Sequence, residues 1–308
     1  GITAALSLAD QGFESYIVEK EDQLGGNYRK LFFTLEGLDT RKHLADLLDK
    51  VEKNDKIHVF VGAGIKNLEG FIGNYKTTVD QSGKETTFEH GVVIVATGAY
   101  ELETKEYLYG ESDRVVTQRE LEKMFAEKDP RAGESGSVVM IQCVGSRNKE
   151  RPYCSRYCCG EAVKNALKLK EADPERDVTI LYRDIRTYGF KEDYYKAARE
   201  ANVQFIRYDE DRPPVVTQNG GKLNIAVFDP ILNEPVNLEA GLLALSVGTA
   251  PNPDNDAISK MLKVSTNQDG FFLEAHVKLR PVDFATDGVF MCGLAHAPKF
   301  SDESITQA

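Results

Sequence analysis

Two apolar runs constrain most of what this chain can fold into. "GVVIVATGA" (residues 91–99) and "GLLALSVGTAPNP" (241–253) are each strand-sized and far too short to cross a bilayer. Uninterrupted apolar strands are those covered on both faces, as in parallel sheets flanked by helices. Each run ends at a glycine, Gly98 or Gly248, where the backbone can approach a ligand closely. Strands and helix-length stretches alternate before both of them, which is the pattern of βαβ units.

The chain opens with a helix whose apolar side is Ala4, Ala5, Leu6 and Leu8, followed by Gly12 and a buried strand, "ESYIVEK". That is the second half of a βαβ unit. Its first strand and most of a G-x-G-x-x-G loop would precede residue 1, with Gly1 as the last glycine. Glu19, at the strand end, then falls where an acid accepts hydrogen bonds from a ribose hydroxyl. From about residue 111 the pattern restarts. "SVVMIQCVG" is a strand, 159–171 a helix, "DVTILYRDI" a strand, "EDYYKAAREANV" a helix and "QFIRYD" a strand. The expected fold class is α/β, with two Rossmann-like three-layer dinucleotide-binding domains. Residues 1–110 and 270–308 form the first, and 111–269 form a second inserted into it.

At the first turn of the inserted module, glycines that cradle a phosphate are expected. The chain instead reads "CVGSRNKERPYCSRYCC", with Cys143, Cys154, Cys158 and Cys159 in seventeen residues. The chain has five cysteines, an odd number, and the crowding of four of them into one loop suits a metal site better than a disulfide framework. Four thiolates serve zinc and iron–sulfur clusters alike. The spacing C-x10-C-x3-C-C contains none of the C-x2-C or C-x4-C pairs usual in structural zinc sites. From spacing alone a cluster, zinc and redox-active thiols all stay open. Arg147, Lys149, Arg151 and Arg156 oppose only Glu150 along the loop, and a helix start at Cys158 and Cys159 favours thiolate. Cys292, in "GVFMCG", reads as an inert core thiol, and His276 and His296 as structural or solvent-facing.

Lysine and arginine number 38 against 49 acidic residues, a net charge of −11, which argues against a nucleic-acid partner. Reduced cysteines and the lack of an apolar span point to a cytoplasmic protein without direct membrane insertion.

Several pieces resemble the pyridine nucleotide–disulfide oxidoreductases, of thioredoxin-reductase-like plan: Glu19, "LGG" at 24–26, "VIVATGA", "SVGTAPNP" and "TDGVFMCG". The cysteine segment, "LYRDIRTYGFKEDYYKAARE" and "GFFLEAHVKLRPVDFATDGVFMCGLAHAPK" resemble, more narrowly, the flavoprotein A subunits of heterodisulfide reductases. The resemblance implies FAD in the first domain, contacted by Gly1, Glu19, Lys20, Gly25, Gly26, Asn27, Ile65, Ala96, Thr97, Gly98, Gly293, Gln307 and Ala308. It implies a [4Fe–4S] cluster on Cys143, Cys154, Cys158 and Cys159, and a catalytic Lys164 that reaches flavin N5. Leu294 departs from the superfamily, which has a flavin-contacting Asp there. The implied function is electron transfer with bifurcation, splitting electron pairs between ferredoxin and a disulfide-reducing partner. The implied partners are the other components of such a complex, a hydrogenase or formate dehydrogenase donor, and ferredoxin. Alternatives are the flavoprotein component of a quinone-interacting or aromatic-ring-reducing complex, an NAD(P)H-dependent disulfide reductase, and a zinc-stabilised docking scaffold. The chain reads as the flavin core of a longer polypeptide.

Overall fold

The apolar run ending at Gly248 forms the strand Leu242–Val247, paired in parallel with Val138–Val144 on one side and Val115–Thr117 on the other. The computed structural model describes residues 1–134 and 136–308. Val178–Tyr182 and then Gln204–Arg207 extend the same sheet, so all five strands run parallel. Period-two alternation sorts the side chains of Val138–Val144 onto two faces. Val138 and Met140 bury against Ala162, Val163, Ala166 and Leu169 of the helix Cys158–Ala172. Val139 and Ile141 bury against Leu223, Ile225 and Val227 of an antiparallel sheet formed by Val215–Asn219, Lys222–Asp229 and Glu234–Ala240. Helices, parallel sheet and antiparallel sheet make three layers. The crossovers Cys158–Ala172 and Glu192–Glu200 connect successive parallel strands, as βαβ units require.

The chain divides into two compact units: residues 1–30, 39–100 and 250–308, and residues 31–38 and 101–249. The chain therefore crosses between them near 100 and 249, where the sequence placed the divisions near 110 and 270. Segment 31–38 joins the second unit for a visible reason. The buried Glu122 carboxylate accepts hydrogen bonds from the backbone N–H groups of Phe32 and Phe33.

In the first unit the strand Ser15–Val18 pairs in parallel with Ile57–Phe60, and Val93–Val95 with Val289–Met291. Ala63–Glu69, Tyr75–Gln81 and Lys84–His90 form an antiparallel sheet with a register shift between Ile65 and Asn67. Asp39 caps the helix Thr40–Glu52 by accepting from the N–H groups of Arg41 and Lys42. Phe272, Phe284, Val289 and Met291 fill one core, and Ala5, Ala9, Val51 and Ile57 another. Among the described residues, no helix is long and apolar enough to cross a membrane.

Candidate functional site

In the first unit, the residues expected to hold FAD collect at the carboxyl ends of parallel strands. Val93–Val95 and Val289–Met291 are neighbours, so Ala96–Thr97–Gly98 and Cys292–Gly293 leave the sheet side by side. Gly1 lies against this turn, with its Cβ position 3.4 Å from Ala96 Cβ. Gly26, Gly98 and Gly293 have φ of 46°, 72° and 70°, the left-handed region that favours glycine. A Cβ at Gly26 or Gly98 would meet nothing within 4 Å, and one at Gly293 only Ser304. The backbone is thus open for close approach at Gly26 and Gly98, as a dinucleotide needs. Gly25 differs: its Cβ would press on Arg29 and Leu44, so that glycine serves local packing.

The other expected contacts vary in position. Glu19 ends the strand Ser15–Val18, half-buried, and its carboxylate accepts from the N–H of Glu21 at 3.0 Å. Asn27 donates to the carbonyl of Ala99, while Lys20 pairs with Asp254 at 2.6 Å. Ile65 is exposed on its antiparallel strand. The Gly293 N–H donates to Gln307 Oε1 at 2.9 Å, and Lys299 donates to the same oxygen at 2.8 Å. Gly293 and Gln307, both FAD contacts implied by the resemblance, are thus bonded to each other here. Ala308 donates its N–H to Ile305. Two residues that sequence reasoning missed hold the Thr97 turn. Asn252 donates to the Thr97 carbonyl at 2.9 Å, and Asn255 accepts from its hydroxyl at 3.2 Å.

In the second unit, Cys143, Cys154, Cys158 and Cys159 all line one pocket, at the carboxyl end of the strand Val138–Val144. Doubly wound sheets bind ligands outside such strand ends. Cys143, Arg147 and Arg156 all have positive φ, at 64°, 58° and 62°. The Arg147 N–H is spent on the Tyr153 carbonyl, so of Arg147 and Arg156 it is the latter whose N–H turns to the cysteines. Arg156 N–H donates to Cys154 Sγ at 3.2 Å, and the Arg147 guanidinium lies 3.7 Å from Cys143 Sγ. The loop is clamped by alternate residues. Tyr153, Ser155 and Tyr157 bond respectively the carbonyl, the N–H and the hydroxyl of Thr249 at 2.6–2.8 Å.

Burial pushes the Cys143, Cys158 and Cys159 thiols up, Cys159 to about 12, with the neighbouring thiols adding to the shift. Desolvation thus outweighs the helix-start effect expected at Cys158 and Cys159. The two thiols instead donate to the carbonyls of Val247 and Asp184, and only about 10 Å³ stays free between the cysteines. Among the described residues no three His, Cys, Asp or Glu side chains are set to hold a single ion. The four thiols are a donor set that zinc and iron–sulfur clusters both use. Ligation would replace the thiol protons, so binding strengthens with pH.

The charge count along the loop also changes. Asp184, from beyond the next strand, pairs with Arg147 and with Arg186. Burial works against its charge, but those two guanidinium groups hold its carboxyl below the usual range. Lys164 is no solvated helix lysine: it is 7 % exposed. Its Nζ donates to Glu122 at 2.6 Å and to the Phe33 carbonyl at 2.9 Å, and sits 4.5 Å over the Phe33 ring. Glu122 was not legible as its partner. Cys292 is buried, as expected, and His296 bonds Glu274 at 2.9 Å.

Known proteins agree with this architecture, although no family model matches the chain. The chain is similar to the iron–sulfur A subunit of CoB–CoM heterodisulfide reductase from Methanocaldococcus jannaschii. The two are 32 % identical over the whole of this chain and 61 % of the relative. It is also similar to the A subunit of the H2/formate:CoB–CoM heterodisulfide, ferredoxin reductase of Methanococcus maripaludis. There the identity is 30 %, again over the whole of this chain and 61 % of the relative. The chain thus spans about three fifths of these curated relatives. Among solved structures, thioredoxin reductases of T. acidophilum and Lactococcus lactis each superpose with a TM-score of 0.63. They are 15 % and 17 % identical, and each match covers all of this chain and 91 % of that one. They establish the fold as thioredoxin-reductase-like, with mixed α/β dinucleotide-binding domains.

Proposed function

We propose that this chain, which belongs to the A-subunit family of heterodisulfide reductases, is the part of such an oxidoreductase that carries FAD on its first unit and one [4Fe–4S] cluster on its second. The observation that carries the reading is the convergence of Cys143, Cys154, Cys158 and Cys159 on one pocket at a strand end. Glu19 and the open backbone at Gly26 and Gly98 support FAD in the first unit. FAD exchanges electrons singly or in pairs whereas a cluster takes one at a time, so together they convert pair chemistry to single-electron chemistry. The protein's own part is positional. Arg147 and the Arg156 N–H offset negative charge on the cysteine sulfurs, and the Thr249 clamp fixes the loop that presents them.

The finer reading is bifurcation, with ferredoxin and a disulfide-reducing partner as acceptors and a hydrogenase or formate dehydrogenase as donor. Ferredoxin, H2 or formate, and a heterodisulfide all figure in the name of the Methanococcus maripaludis relative. Anaerobically purified protein should contain one FAD, with iron and acid-labile sulfide in the ratio of a [4Fe–4S] cluster. Serine at any of the four cysteines should lower the iron content, and Cys292→Ser should not. Zinc in place of iron, or iron that survives Cys143→Ser, would sink the ligand set. In the assembled complex, ferredoxin and heterodisulfide reduction should stay coupled. Full heterodisulfide turnover without ferredoxin reduction would exclude bifurcation.

A further inference from the structure

Gln142 closes the strand stripe that faces the cysteine-bearing helix. Its neighbours on that face, Val138 and Met140, bury against Ala162, Val163, Ala166 and Leu169. By the two-residue period Gln142 comes next, opposite the helix start at Cys158 and Cys159. It is 0 % exposed and lines the pocket of the four cysteines. Its backbone carbonyl is held by the Tyr208 hydroxyl at 2.6 Å. Its side chain has no such anchor: neither Nε2 nor Oε1 has a hydrogen-bond partner among the described residues. Buried amides are nearly always bonded, and leaving one unbonded is costly. An aliphatic residue would continue the Val138–Met140 stripe without that cost. The amide therefore needs a partner within the cysteine pocket.

We propose that Gln142 donates a hydrogen bond from its side-chain amide to a sulfur of the cluster held by Cys143, Cys154, Cys158 and Cys159, and so raises the cluster's reduction potential. This rests on the cluster reading above. Sulfur bound to iron accepts N–H donors, and hydrogen bonds to the sulfurs are among the levers that set such potentials. The reduced form carries one more negative charge, so a donor stabilises it more than the oxidised form. Arg156 N–H and Arg147 already address Cys154 and Cys143. Gln142 adds a donor from the strand itself.

The test uses the anaerobically purified protein. Gln142→Leu should keep its iron and sulfide. Its cluster should be harder to reduce by roughly tenfold in equilibrium constant, about 59 mV for a one-electron couple. Separately, wild-type protein labelled with side-chain 15N-glutamine should show nitrogen coupling to the reduced cluster in pulsed EPR. Should the leucine variant fail to fold, the labelled wild-type protein decides alone. Iron retained with an unchanged potential, or absent 15N coupling, overturns the role of Gln142 and leaves the cluster reading standing. Wild-type protein without iron overturns both.

Discussion

At the scale of single residues, the Lys164–Glu122 pair has the largest consequences. Both side chains are buried, and Glu122 spends its second oxygen on the N–H groups of Phe32 and Phe33. A buried pair need not stabilise against an apolar substitute, but removing one member strands the other charge. Lys164→Met should therefore cost about 3–5 kcal/mol in a denaturant titration. Lys164→Met with Glu122→Leu should recover much of that loss. A single variant as stable as wild type would show that the pair is not buried in solution. A milder case is Glu274. Burial opposes its charge, yet its own backbone N–H, the His296 ring and Lys299 prevail and hold its carboxyl low. A depressed folded value means stability that is present above the unfolded value and lost as pH falls through the folded one. Glu274→Gln should thus cost on the order of 1 kcal/mol near neutral pH. The difference should shrink as the pH falls below about 4, the ordinary glutamate range. A melting-temperature gap that stays constant with pH would mean the carboxylate charge contributes nothing.

At the scale of elements, the turn after Leu242–Val247 supports the cysteine loop. Gly248 donates its N–H to the Val144 carbonyl, next to Cys143, and a Cβ there would stand 2.8 Å from Leu102 and 2.9 Å from Ser146. Gly248→Ala should lower stability by about 1–3 kcal/mol through overpacking. It should also lower iron content, because Ser146 lies in the loop that must move. Unchanged melting and iron would deny the turn that role. Gly248 was legible because a glycine that ends an apolar run has few other uses, and the cysteines were legible because their crowding is a one-dimensional signal. The parallel strands and their helices were likewise readable, since burial on both faces writes itself into continuous apolar runs. Glu122 was not, because "QRELEKMFAE" reads as an ordinary surface helix and only tertiary contact buries one of its acids. Asp184 and segment 31–38 escaped for the same reason: their partners are distant in sequence, and no local period marks them. Gln142 stood in plain view within "VVMIQ", yet a strand's last residue is too often polar for that to signal anything alone.

At the scale of the whole molecule, two units with separate cores should respond separately to loss of what each binds. A group that binds only the folded state stabilises the unit that holds it, by mass action. A cluster on Cys143, Cys154, Cys158 and Cys159 would tie the strand Val138–Val144 to the helix Cys158–Ala172, which lie 13 residues apart in sequence and share one core. Without it, the Cys158 and Cys159 thiols stay protonated in a desolvated pocket and make only weak bonds to carbonyls. Iron removal by a chelator under anaerobic conditions should therefore speed amide exchange across 143–160 and lower the melting of the second unit. Exchange at 93–98 and 289–295, where Val93–Val95 pairs with Val289–Met291, should stay as it was. Removing flavin should do the reverse, loosening the turns at Gly98 and Gly293 and sparing the cysteine loop. Hydrogen exchange with mass detection, read in both depleted forms, distinguishes the two. If iron removal loosens 289–295 while 143–160 keeps its protection, the cluster does not belong on the four cysteines, and the assignment of one group to each unit fails with it.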